Sequence, residues 1–69
     1  MKESFKIKGE YIELIQLLKV LGIAETGGQA KAMVEEGRIK VNGQPEERKR
    51  AKLRPGDQVE MEDLLIVLS

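Results

Sequence analysis

Gly37-Arg38-Ile39-Lys40-Val41-Asn42-Gly43-Gln44, residues 37 to 44, decides the fold class. Gly37 follows Glu35-Glu36 and reads as a helix stop, because glycine adopts the left-handed conformation at no steric cost. Arg38 and Lys40 then alternate with Ile39 and Val41, the period of a strand. Asn42-Gly43 supplies the two positive φ angles that a type I′ hairpin turn requires. A helix therefore lies upstream of this stretch and a run of strands downstream.

Upstream, Thr26-Gly27-Gly28-Gln29 has the T-x-x-Q spacing of a capping box, with Ala30, Met33 and Val34 as the inner face of the helix that follows. Glu35 and Glu36 oppose the macrodipole at its C-terminus, so packing and Gly37 are expected to hold that end. Before it, Leu14, Leu17, Leu18 and Leu21 sit at i, i+3, i+4 and i+7, with Ile15 beside them, predicting an earlier helix from about Glu10 that ends at Gly22. Phe5 and Ile7 alternate with Lys6 and Lys8 and predict a short strand before Gly9. Downstream, Pro45 lacks a ladder donor and belongs on an edge. Arg54-Pro55-Gly56-Asp57 fits a type II turn, Val59 and Met61 alternate with polar neighbours, and Leu64 to Leu68 reads as a buried closing strand. This order predicts an α+β domain, residues 1–69, with two N-terminal helices packed on a small antiparallel or mixed sheet.

Composition narrows the function. With 69 residues there is room for one small core, and neither cysteine nor histidine is present. Disulfides, thiolate nucleophiles and the commonest general base and metal ligand are thereby excluded. The longest apolar run, Leu64 to Leu68, is far short of a membrane span, and Met1-Lys2-Glu3-Ser4-Phe5 has no export signal. The expectation is a cytoplasmic protein that is not an enzyme, with no cofactor, no metal and no membrane partner. Ser4, Thr26 and Ser69 are the hydroxyls on offer, none with a placed base, and Thr26 is explained as an N-cap. Glu60, Glu62 and Asp63 could be oxygen ligands for a hard cation, but alternation makes the two glutamates a solvated face.

The 12 basic and 12 acidic residues cancel, yet they are unevenly placed. Residues 1–37 carry a net charge of −1, residues 38–54 carry +5, and residues 55–69 carry −4. Arg38, Lys40, Arg48, Lys49, Arg50, Lys52 and Arg54 form the basic segment, and a hairpin is expected to draw them together. Thr26-Gly27-Gly28-Gln29-Ala30-Lys31 is not a nucleotide-binding loop, since its glycines are adjacent and a helix precedes it. Two glycines in a first helical turn leave N–H groups open to a phosphate, or else serve tight helix packing; both readings stand at this point. Phe5 and Tyr11 are the only aromatic residues, which disfavours stacking on single strands and favours recognition of folded RNA through backbone and shape.

Leu21-Gly22-Ile23-Ala24, Thr26, Ala30-Lys31, Met33-Val34 and the run from Gly37 to Gly43, followed by Leu53-Arg54-Pro55-Gly56-Asp57, resemble the RNA-binding domain named after ribosomal protein S4. Residues 26–31 and 47–53 resemble its small stand-alone bacterial branch, of the YbcJ and YaaA type. The resemblance implies the αL motif, in which two helices and a hairpin form the RNA-contacting face. By it, Thr26, Gly27, Gly28, Gln29 and Lys31 map to the helix that meets the RNA backbone, and Arg38, Lys40 and Asn42 to the adjoining strand and turn. Glu13 and Gly27 stand where many members carry arginine, which leaves Arg48, Lys49, Arg50 and Lys52 as the replacement cations. The expected function is non-catalytic binding of structured RNA, ribosomal RNA in the ribosome or its assembly intermediates, by a monomer. The rival is a protein-interaction module that docks an acidic partner on the same basic surface.

Overall fold

Leu14, Leu17 and Leu18 recur at helical spacing and are fully buried, and around them the chain forms α1, Leu14–Val20. The computed structural model describes all of residues 1–69. Its second helix, α2 (Gly27–Glu35), buries Ala30, Met33 and Val34, the face its spacing predicts. Both helices end in the same device. Gly22 and Gly37 each take φ +75, the N–H of Ile23 donates to Leu18 O at 3.0 Å, and that of Arg38 donates to Met33 O at 3.4 Å. These are Schellman closures, and they satisfy carbonyls that the helix ends would otherwise leave unpaired.

The first helix starts at Leu14 rather than near Glu10. Ile12–Glu13 instead form a two-residue strand, β2, because Ile12 and Glu13 pair antiparallel with Leu53 and Lys52, and Leu14 N–H donates to Ala51 O at 2.9 Å. The first strand, β1, is Lys2–Phe5, three residues earlier than the alternation from Phe5 to Lys8 suggests. Ile7 nonetheless donates to Ser69 O at 2.7 Å and buries its side chain.

After α2 come β3 (Lys40–Val41) and β4 (Gln44–Pro45), joined by Asn42 at φ 53 and Gly43 at φ 86, as the type I′ reading requires. Arg38 stays outside this ladder, since the helix closure already takes its N–H, while Ile39 O still accepts from Glu46 N–H at 3.0 Å. Next are β5 (Lys52–Leu53), β6 (Gln58–Met61) and β7 (Leu64–Leu68). The main sheet runs β1-β7-β6-β3-β4, with β1 parallel to β7 and the remaining pairs antiparallel; β2 and β5 form a second, two-stranded sheet. Pro45 lies on the edge strand, where its missing donor costs no ladder bond.

The 14 buried side chains form one apolar cluster to which both helices and both sheets contribute, with no unpartnered buried side-chain polar atom. The architecture is α+β, two helices on a mixed sheet. No helix is long and apolar enough to cross a membrane.

Candidate nucleic-acid interface

The start of α2 is built as its sequence suggests, with one difference. Thr26 Oγ1 accepts from Gln29 N–H at 3.1 Å, but the Gln29 side chain reaches one residue further back than a standard capping box, where its Oε1 accepts from Glu25 N–H at 2.8 Å. The two glycines behind the cap have no packing duty. A Cβ on Gly27 would meet nothing within 4 Å, and one on Gly28 only Thr26 Oγ1 at 3.9 Å. Neither has a positive φ. Tight helix packing therefore does not account for them, and the space that a side chain would fill at either position is open. Lys31 lies exposed one turn further along the same helix.

The C-terminal end of α2 is held by charge as well as by packing. Lys49 Nζ is 2.8 Å from Glu35 Oε2, and the Arg38 guanidinium contacts Glu36 Oε1 at 3.4 Å and Glu62 Oε1 at 2.9 Å. The hydrogen bond from Lys49, reinforced by the charges of Lys49 and Lys31, holds the Glu35 carboxyl below its ordinary range. Hydrogen bonds to Glu62 first and Glu36 second raise the Arg38 pKa further. Two acids at a helix C-terminus need such partners.

The two turns that carry the family resemblance prove to be one unit. Asn42 Nδ2 donates to Asp57 Oδ1 at 3.1 Å, Asn42 Oδ1 accepts from Gln58 N–H at 2.9 Å, and Asp57 Oδ2 accepts from Arg54 N–H at 2.8 Å. Gly56 takes φ +100, and Asp57 N–H donates to Arg54 O at 3.0 Å, closing the Arg54–Asp57 turn. Both ends of the Asn42 amide are thus engaged inside the protein.

The seven cations of residues 38–54 do not form one open cluster. Arg38 and Lys49 are paired as described, and Arg48 grips Glu46 through Nε at 3.0 Å and a terminal nitrogen at 3.2 Å. That hydrogen bond is the main cause of the lowered Glu46 pKa and the raised Arg48 pKa. Lys52 stands opposite Glu13 in the β2–β5 pair and places Nζ 4.9 Å from the centre of the Tyr11 ring, a cation–π contact. Lys40, Arg50 and Arg54 are exposed and make no ion pair. What the fold does bring together is α2 and the 48–50 loop, tied by the Lys49–Glu35 bridge. Sequence reading passed over Tyr11 as a partner of Lys52; two-residue strands have no periodicity that would have placed them side by side.

The S4 domain family matches residues 5–68, and the chain belongs to that family. Among its relatives is an Escherichia coli (strain K12) protein named "Putative RNA-binding protein YbcJ", 46% identical over 52 residues, covering 75% of this chain and 74% of that protein. A Bacillus subtilis (strain 168) protein named "Probable ribosome maturation protein RlbA" is 39% identical over 62 residues, covering 90% of this chain and 87% of that one. The solution structure of E. coli YbcJ, described as revealing an ALFAL motif involved in RNA binding, superposes with a TM-score of 0.67 at 39% identity, over 93% of this chain and 85% of that one.

Proposed function

We propose that this chain is a non-catalytic RNA-binding module of the cytoplasm that recognises structured RNA, with ribosomal RNA in the ribosome or its assembly intermediates as the target, and that it acts as a monomer with all of residues 1–69 forming the binding unit. The observation that carries this reading is the Lys49–Glu35 bridge, which sets the 48–50 loop against the C-terminal end of α2, one turn from Lys31 and two turns from the open start of the helix, so that the three can serve as one surface. On that surface Thr26 holds the helix start in shape through its bond to Gln29, and Gly27 and Gly28 leave N–H groups accessible to a phosphate at the positive end of the helix. Lys31, Lys40, Arg50 and Lys52 supply charge, with Arg38, Arg48 and Lys49 able to exchange a surface carboxylate for a phosphate, because exposed ion pairs are worth only about 0–1 kcal/mol. Asn42 contributes by fixing the turn beside Lys40. The names of the E. coli and B. subtilis relatives support an RNA-binding role connected with ribosome maturation.

Crosslinking in cells followed by sequencing of the bound RNA tests both the activity and the target class. Enrichment of structured ribosomal RNA segments is expected, and Arg50→Glu, which breaks no ion pair, should remove most of it. Association with ribosomes that persists after RNase digestion, with no crosslinked RNA, would instead support the protein-docking rival.

A further inference from the structure

A second surface lies on the far edge of the main sheet, outside the basic segment. β1 has β7 as its only neighbour. Met1 O and Phe5 O accept from β7-side N–H groups, and Ile7 N–H donates to Ser69 O. In a parallel ladder alternate residues bond to alternate sides, so Lys2, Ser4 and Lys6 turn their N–H and C=O groups outward, unpaired. The opposite edge, β4, is two residues long and carries Pro45, so the fold blunts one edge and leaves the other open.

At the C-terminal end of this open edge lies a groove of about 410 Å³, walled by Phe5, Tyr11, Ile12 and Val20 and rimmed by Lys6, Lys8 and Gln16. The structure has three exposed large apolar side chains, Met1, Tyr11 and Val20, and two of them line it. No carboxylate lines it, and neither Lys6 nor Lys8 makes an ion pair. An edge strand with free backbone groups, an apolar groove at its end and unpaired lysines around it are the three elements of strand addition: main-chain bonds give affinity, the groove takes alternate side chains, and charge selects the partner.

The geometry points to a docking site for an extended acidic peptide segment of a partner protein, which pairs with the outer edge of β1, inserts apolar side chains between β1 and α1, and sets its carboxylates against Lys2, Lys6 and Lys8. Nucleic acid fits this surface less well, because a face of the Tyr11 ring is already covered by Lys52 and a free strand edge complements another peptide backbone rather than a phosphodiester.

Titrating the ¹⁵N-labelled full chain with a peptide of about six residues alternating glutamate with valine or phenylalanine tests this, with a lysine-alternating peptide as control. The expected result is slowed exchange of the Ser4 and Lys6 amides, shifts at Tyr11 and Val20, and binding about tenfold or more weaker for the lysine peptide. Methylating the backbone nitrogens on the pairing side of the peptide should remove binding without touching the protein. Ser4→Pro should do the same, since that N–H makes no ladder bond, with an unaltered Val67 and Leu68 spectrum reporting an intact fold. Any one of four results overturns the proposal: no shifts at millimolar peptide, indifference to peptide methylation, the same amides protected by an RNA hairpin instead, or concentration-dependent broadening without peptide that assigns the edge to a second copy.

Discussion

Gly28 is the residue at which fold and proposed function separate most cleanly. Its backbone is not left-handed and the nearest atom to an added Cβ is Thr26 Oγ1 at 3.9 Å, so alanine fits. Gly28→Ala should therefore stabilise the protein by up to about 1 kcal/mol in urea denaturation, through helix propensity and a less disordered unfolded chain. The same methyl group should weaken RNA binding by crowding the first turn of α2. A stabilised variant with unchanged RNA affinity would show that the open turn is not used. Asn42 makes the opposite case. Its sequence context marks a turn former and the family resemblance implies an RNA contact, and its φ of 53 and its bonds to Asp57 and Gln58 add a structural load. Asn42→Ala is expected to cost about 1–3 kcal/mol. A double-mutant cycle with Asp57→Ala should return a coupling of about 0.5–3 kcal/mol, and additive losses would mean that the two turns are independent.

At the scale of elements, the sequence was legible wherever one residue type satisfies a conformational demand: Gly22 and Gly37 at the helix ends, Asn42-Gly43 and Pro55-Gly56 in the turns, and the leucine and Ala30-Met33-Val34 stripes. It was not legible where long-range pairing decides. The two-residue β2–β5 sheet draws its bonds from residues some 40 positions apart, which cut the first helix short, and the parallel β1–β7 pairing leaves no local mark. The candidate site shows the same division. The segment carrying the charge is evident, and Glu36 and Glu46 lie two residues from the Arg38 and Arg48 that they pair, but Glu35 and Glu62 reach Lys49 and Arg38 from α2 and the β6–β7 turn, where only the fold sets them. This gives a test of the 48–50 loop. Removing the competing acid in Glu46→Gln should release Arg48 and tighten RNA binding several-fold at low salt, whereas Glu35→Gln should weaken it by untying the 48–50 loop from α2, both read by fluorescence anisotropy. Both carboxyls are depressed in the folded state, so their stabilisation is present above the ordinary carboxylate range and is lost as pH falls through the lowered folded values. Melting temperatures measured downward from pH 7 should accordingly converge for wild type and the double glutamine variant in acid. A gap that widens as pH falls would mean that the pairs do not stabilise the fold.

Over the whole molecule, a net charge of zero divides along the sequence into +5 in residues 38–54 and −4 in residues 55–69, and the fold mixes the two, with Glu62 paired to Arg38 and Glu60 opposite Lys40 in the sheet. Cations left unpaired at fixed positions on a rigid fold favour a rigid phosphate array over a flexible strand. The ion pairs set how strongly. With Arg38, Arg48 and Lys49 engaged, Lys31, Lys40, Arg50 and Lys52 are the cations of the proposed surface that make no ion pair, and Tyr11, with Lys52 over its ring, is not a free platform for a base. Four contacts at about −0.9 each predict a log–log salt slope of roughly −3 to −4 on a duplex. The direct test is to titrate a labelled ribosomal hairpin and an unstructured oligomer of equal length with the full chain at several salt concentrations. The hairpin should bind more tightly and with that slope; a slope near zero, or equal affinity for both RNAs, would contradict a basic face built for folded RNA.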